Sequence, residues 1–183
     1  MILELDYKLS GWLFSLGRSL PHEAVIFAAV WLIWILAAYL IFLSFFSSRR
    51  QQIFLLSRAV AAVVAVFFIK TTLAWLFLRY RPFVAFDFKP LLQPLFLDQS
   101  FPSSHAAIAW ALAGSILFHN KKNAVAAVVV AMVMAALVSV GRVLAGVHYL
   151  SDILLGGLIG LIVAWLVMKI NPKIPPISRE QKQ

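Results

Sequence analysis

Apolar positions along the chain fall into five runs separated by short polar intervals, and ahead of them lies a segment with a different rhythm. The runs are Ala24–Phe46, Ile53–Leu76, Ala106–Phe118, Ala124–Val140 and Ile153–Ile170. Most approach the roughly 20 residues that a bilayer-spanning helix needs. The third is short, and its helix is expected to begin within the polar stretch at Ser103. Met1–Leu20 instead places Ile2, Leu5, Leu9, Trp12, Leu13, Leu16 and Leu20 near a 3.6-residue repeat, and Pro21 ends it. Two readings of that segment stay open: an amphipathic helix lying in the outer membrane interface, or an ordinary helix packed on the bundle. The expected fold is therefore an all-α integral membrane protein, a bundle of about five transmembrane helices plus an N-terminal interfacial amphipathic helix.

Composition supports this reading. The chain has 183 residues, 63% of them apolar, and a chain of this size cannot hide five such runs inside a soluble domain. One domain is expected, 1–183, with 1–21 as the interfacial helix and 171–183 as a cytoplasmic tail. Glu4, Asp6 and Lys8 interrupt the first segment, so it does not read as a signal peptide. There is no cysteine, which removes disulfides, thiolate nucleophiles and cysteine-based metal sites.

Charge gives an orientation. With five spans, Arg49, Arg50, Arg58, Lys121, Lys122, Lys169, Lys173, Arg179 and Lys182 fall on one side. Lys8, Arg18, Lys70, Arg79, Arg81, Lys89 and Arg142 fall on the other, with all the acids except Glu180. The positive-inside rule places the first group in the cytoplasm. Several cations of the second group sit within motifs, so the loop bias is larger than the raw count.

Three polar clusters interrupt or border the apolar runs: Lys70 with Arg79-Tyr80-Arg81-Pro82; Pro102-Ser103-Ser104-His105; and Arg142-x5-His148-x3-Asp152. A charge in a bilayer is costly, so such residues are functional by default. All three clusters fall on the outer face of the predicted topology. His148 and Asp152 have i,i+4 spacing, which on a helix would make them neighbours on one face. A carboxylate there can fix the imidazole tautomer and leave the other nitrogen's lone pair outward, as a nucleophile requires. The same pair also reads as a helix start in which Asp152 merely favours the dipole. Ser103 fits an N-cap, and the helix start it opens is suited to an anion. Arg81 and Arg142 offer bidentate donors to phosphoryl oxygens. On a continuous helix Lys70 would face the same way as Arg81, about 16 Å along the axis, while Arg79 would snorkel to the interface. His22 and His119 are assigned to the surface. The outer-side acids are scattered, so no carboxylate cluster for a metal ion is expected, and the cations would neutralise charge in its place.

At these residues the chain resembles the type 2 phosphatidic acid phosphatase superfamily of membrane lipid phosphatases, whose pattern is Lys-x6-Arg-Pro, Pro-Ser-Gly-His and Ser-Arg-x5-His-x3-Asp. The resemblance runs from about Lys70 to Gly160, with the three motifs in order. There are three departures: Ala74 stands at the lysine position, Ser104 at the glycine and Gly141 at the serine. Arg81-Pro82-Phe83-Val84-Ala85 and Phe101-Pro102-Ser103-Ser104-His105 are similar to the bacitracin-resistance branch of undecaprenyl-diphosphate phosphatases. The resemblance implies His148 as a nucleophile forming a phosphohistidine, Asp152 as its orienting partner and His105 as general acid. It implies Arg81, Arg142, Lys70 and the Ser103–Ser104 backbone as phosphate ligands, with no metal or other cofactor. The expected activity is hydrolysis of undecaprenyl diphosphate at the outer leaflet of a bacterial inner membrane, recycling the carrier of cell-wall glycans. The partners would be a lipid substrate and the bilayer, not nucleic acid. Rival readings are a phosphatase for phosphatidylglycerol phosphate, lipid A 1-phosphate or phosphatidic acid; a small transporter; and a non-catalytic lipid-binding relative. Phe83–Phe101 reads either as a lid beside the lipid entry path or as a packed loop.

Overall fold

The computed structural model describes residues 2–93, 99–119 and 125–170, and every regular element among them is helical. The tail 171–183, Lys121, Lys122 and Asp98 lie outside the described residues. Helix α1 is Ile2–Ser19. Four helices are long and apolar enough to cross a bilayer: α2 His22–Ser44, α3 Arg49–Leu76, α6 Val125–Leu144 and α7 Leu150–Lys169. Between them lie the short α4, Pro82–Ala85, and α5, Ser104–His119. The five predicted runs thus correspond to α2, α3, α5, α6 and α7, and α5 does begin in the polar stretch.

Although the shortest of the five, α5 stands at the centre of the bundle, with Ala106, Ala107, Ala109, Ala111, Ala113 and Gly114 buried among its neighbours. Small side chains let helix backbones approach closely where lipid provides no hydrophobic drive. The α7 face against α5 answers in kind with Gly156, Gly157 and Gly160. A methyl group on Gly156 would come within 2.8 Å of the Ser103 carbonyl, so this contact holds the start of α5 against the start of α7. Around this centre, Leu36, Leu40, Leu55, Leu112 and Val138 fill the packing toward α2, α3 and α6. The outward faces carry Trp34, Phe42, Val64, Phe67, Leu154 and Leu158, all exposed, as lipid-facing surfaces require.

Helix α1 packs on α6 and α7 with its polar side inward. Asp6, Ser10 and Gly17 are buried, whereas Leu5, Leu9, Trp12, Leu16 and Leu20 of the apolar stripe are exposed. An ordinary packing helix would bury that stripe. This orientation is the one an interfacial helix adopts, with its apolar side given to lipid.

Helix α3 ends at Leu76, and residues 77–81 are not helical. The helix ends where the second apolar run does, so the continuity on which the shared facing of Lys70 and Arg81 and their axial offset depended is absent. The physical reason lies at Pro82, which forces the residue before it out of the helical region: Arg81 is extended at φ −66°, ψ 153° and precedes a new turn that has Pro82 in its first position.

Candidate active site

The ends of α3, α5, α6 and α7 that carry the polar motifs meet at one end of the bundle, under α1. Helix α6 runs four residues beyond its predicted end, so Arg142 lies in its last turn. Gly146, at φ 77°, turns the chain back, with Phe14 and Phe88 closing the space a side chain would need. His148 follows in the connection, Tyr149 caps α7, and Asp152 lies in the first turn of α7. The pair thus spans a helix start rather than sharing a helix face.

Asp152 fulfils both roles that its spacing suggested. Its Oδ2 accepts the Tyr149 backbone N–H at 2.8 Å, capping α7, and stands 3.6 Å from His148 Nδ1. The same oxygen receives the Ser100 hydroxyl at 2.5 Å. Its Oδ1 receives Arg79 Nη1 at 2.9 Å. Asp152 is fully buried and His148 nearly so. Burial pushes the His148 imidazole down to about 4; the Asp152 carboxylate beside it opposes that, and the nearby Arg142 and Arg81 charges add to it. The ring is neutral at ordinary pH. With Nδ1–H directed at Asp152, the lone pair is on Nε2, and Arg81 Nη1 lies 3.4 Å from that atom.

Arg81 also donates to the Val147 carbonyl at 3.1 Å. Arg142 is buried and donates to the Ala29 carbonyl at 3.3 Å. Ala29 belongs to a π-turn, Phe27–Trp31, within α2. Gly141 lets α6 close onto this turn, since a methyl group there would meet the Ala29 nitrogen at 2.8 Å. Glycine in place of the family's serine therefore serves the packing that aims Arg142. The Arg142 Nε is buried with no hydrogen-bond partner among the described residues. His105, in the first turn of α5, lies within electrostatic reach of Arg142, His148 and Arg81. Lys70 is half-buried in α3 and is close enough to Arg81 for the two cations to repel.

Two helix starts face this cluster and differ in one respect. At α7 the leading N–H groups are spent: Tyr149 on Asp152, Leu150 on Ser10 Oγ at 2.9 Å, and Ser151 on Asp6 Oδ1 at 2.9 Å. At α5 the Ser103 N–H is spent on the Asp152 carbonyl at 3.2 Å. Its hydroxyl makes only a 3.5 Å cap to Ala106. The expected backbone donor at Ser103 is therefore committed to the protein, and the first-turn groups of Ser104 and His105 remain. Serine fits at 104 because the position is helical and not among the positive-φ residues.

Four residues of the cluster escaped the sequence reading: Asp6, Arg79, Ser100 and Ser151. Arg79 does not snorkel. It bridges Asp6 Oδ2 at 2.7 Å and Asp152, with its guanidinium 3.8 Å above the Tyr149 ring. His119 is not fully at the surface either; it stands against the Phe54 ring. An apolar cavity of about 370 Å³ opens beside His148, walled by Tyr7, Gly11 and Phe14 of α1 and by Pro82, Phe86 and Phe88. The loop after Arg81 packs on the bundle rather than standing clear: Phe83, Leu91 and Leu92 join Val25, Ala29, Ala145 and Val147 in one apolar cluster.

The PAP2 superfamily model matches residues 51–175, which include all but the first two residues of α3, the whole of α5, α6 and α7, and every motif. The chain belongs to the PAP2 superfamily. It is by family a membrane phosphatase of lipids. The bacitracin transport permease protein BcrC of Bacillus licheniformis is 28% identical over 174 residues, covering 93% of this chain and 83% of that one. An undecaprenyl-diphosphatase of Sulfolobus acidocaldarius is 32% identical over 149 residues, covering 81% and 68%. A solved PAP2-type phosphatidylglycerolphosphate phosphatase of Bacillus subtilis superposes with a TM-score of 0.67 at 23% identity, over 96% of this chain and 89% of that one. This fold likeness agrees with the all-helical membrane-protein reading of the sequence.

Proposed function

We propose that this PAP2 protein hydrolyses a lipid phosphate or diphosphate through a phosphohistidine on His148, with undecaprenyl diphosphate as first substrate, at the outer leaflet of a bacterial inner membrane. The observation that carries the reading is His148 itself: a buried, neutral imidazole with Asp152 at Nδ1 and Arg81 at Nε2. Nε2 attacks the terminal phosphorus, and the bond from phosphorus to the leaving lipid-phosphate oxygen breaks. His105 supplies the proton that oxygen takes. Arg81 and Arg142, with Lys70 behind them and the Ser104 N–H in front, hold the three phosphoryl oxygens as charge builds. Water, deprotonated by His105, then attacks the phosphorus, the N–P bond breaks, and phosphate leaves with His148 neutral again. The anion between three cations also favours the protonated form of His105 that the first step needs. The donor set consists of cations and histidines, and among the described residues no three metal-ligating side chains gather; the reading therefore uses no metal.

Support for undecaprenyl diphosphate comes from the Sulfolobus acidocaldarius relative named for it and from the Arg81–Ala85 and Phe101–His105 segments. A second lipid, phosphatidylglycerol phosphate, is favoured by a Bacillus subtilis relative named phosphatidylglycerophosphatase B, 35% identical over 104 residues. The test is phosphate release in detergent with EDTA, comparing undecaprenyl diphosphate with phosphatidylglycerol phosphate, lipid A 1-phosphate and phosphatidic acid. Fastest release from undecaprenyl diphosphate is expected; activity that needs added Mg²⁺ would overturn the mechanism. The outward orientation rests on Arg49, Arg50, Arg58 and Lys169 at the end away from the site. In this cysteine-free chain, a cysteine at Gln51 should label only from the cytoplasm and one at Tyr80 only from outside.

A further inference from the structure

Asp152 is a fully buried carboxylate, and a buried charge must be paired and hydrogen-bonded to be tolerated. Burial favours the neutral form of the His148 ring, so a permanent counter-charge for Asp152 must come from elsewhere. The cation that touches Asp152 is Arg79, at 2.9 Å. The contacts divide by oxygen. Arg79 takes Oδ1. Ser100 and the Tyr149 N–H take Oδ2, the oxygen facing His148 Nδ1. Anchored at both oxygens, the carboxylate cannot rotate its acceptor away from the imidazole.

Arg79 is itself held from outside the motifs. Its Nη2 meets Asp6 of α1 at 2.7 Å, and its Nη1 also reaches the Ser151 hydroxyl at 2.7 Å. That hydroxyl donates in turn to Asp6 Oδ2 at 2.6 Å, and the Ser151 N–H donates to Asp6 Oδ1. The side chain lies over the Tyr149 ring and is only 19% exposed. A surface arginine would give up rotamer freedom for contacts of small worth. Here a planar fork is fixed between two carboxylates, one of them the partner of the reacting histidine.

We propose that Arg79, seated by Asp6 of the N-terminal helix, is a positioning residue for phosphoryl transfer: it supplies the counter-charge and second anchor that keep Asp152 aimed at His148. It does not touch the substrate; it acts through Asp152. The N-terminal helix thereby becomes part of the catalytic apparatus, although the residues it contributes lie outside the 51–175 family match. The inference rests on the reading of His148 and Asp152 given above.

The test is steady-state kinetics of the full-length protein in detergent, on the lipid of the panel turned over fastest, with thermal unfolding followed for each variant. Arg79→Gln should lower kcat about ten- to a hundredfold, as loss of an outer partner of an oriented histidine does, with KM within about twofold. Arg79→Lys should recover part of that loss, since an ammonium restores the charge but not the fork. Asp6→Asn should lower kcat by a smaller factor, again at constant KM. A raised KM with kcat preserved would make Arg79 a substrate ligand and overturn the proposal. Wild-type kcat in Arg79→Gln, with only the unfolding temperature lowered, would reduce it to a structural tie. Should Arg79→Gln fail to fold, wild-type kcat in both Arg79→Lys and Asp6→Asn would overturn the proposal equally. His148→Ala separates the two levels: activity in that variant sinks the underlying mechanism, whereas an inactive His148→Ala beside a fully active Arg79→Gln sinks this inference alone.

Discussion

Arginines are buried at both ends of the bundle, and the two ends treat them differently. Away from the site, Arg58 lies against the Phe54 ring and donates to the Val167 carbonyl near the end of α7. Its contacts are what a structural cation needs: an aromatic face and a helix C-terminal carbonyl. At the site end, Arg81 and Arg142 are buried close enough to repel each other, with Lys70 near enough to Arg81 to add to the strain. A fold gains nothing from gathering like charges out of water. Under the proposed function the gathering would serve a phosphoryl group, whose charge is of the right sign and multiplicity. The comparison sets an arginine held by a ring and a carbonyl against arginines that, although they also meet carbonyls, are gathered with a further cation.

The sharpest way to widen that contrast is at His105. His105→Ala should lower turnover about 10²–10⁴-fold, the range for loss of a general acid, with no matching loss of stability. Equal losses of both, measured by phosphate release and thermal unfolding, would return His105 to a helix-start role. The arginines compare directly. Arg142→Ala should cost about 10²–10³ in kcat/KM, the scale for removing one transition-state donor. Arg58→Ala should lower the unfolding temperature and leave the kinetics of the folded fraction unchanged. Identical kinetic effects in the two variants would erase the distinction between the ends.

Lys70 sits between these cases. Lys70→Ala should cost about tenfold in catalytic efficiency, below the roughly 10²–10³ of a direct transition-state donor because Lys70 stands behind Arg81. Restoring a cation one turn nearer the helix end, in Lys70→Ala with Ala74→Lys, should recover activity if height on this face is tolerated; however, Ala74 is buried, so the recovery should be partial. Full activity of Lys70→Ala alone would assign the phosphate to Arg81 and Arg142. The smallest effect expected is on pH dependence. Since burial holds the His148 imidazole near 4, protonation removes its lone pair only below that pH. The acid limb of kcat/KM should therefore fall near pH 4 rather than at the ordinary 6.5 of a solvated histidine. A limb at 6.5 would mean that the attacking group is not enclosed as the structure has it.

Much of this was legible in the sequence because lipid makes charge conspicuous. His105, Arg142, His148 and Asp152 interrupt or border apolar runs, so their meeting at one end followed from counting spans. Asp6 and Arg79 were illegible for the converse reason. Asp6 lies on an amphipathic helix where charge is ordinary, and Arg79, although within a polar cluster, reads as a cation snorkelling to the interface; nothing local distinguishes a clamp from a solvated side chain. Ser100 is illegible in the same way, since a serine before a helix reads first as part of a cap. Whether Lys70 and Arg81 face the same way is not legible, because no breaker separates Leu76 from Arg81; Pro82 alone signals that the residue before it must be extended. The burial of α1 by its polar side follows from the fully occupied first turn of α7, whose N–H groups take Asp6 and Ser10 as acceptors, and that pairing exists only in three dimensions.

The central claim is that His148 Nε2 takes the phosphoryl group, and purified His148→Ala tests it most directly, assayed for phosphate release on the panel lipid that the unsubstituted protein turns over fastest. Loss of turnover by several orders of magnitude is expected, with the unfolding transition retained. Near-normal phosphate release by the folded variant would contradict the account and move the chemistry to another group.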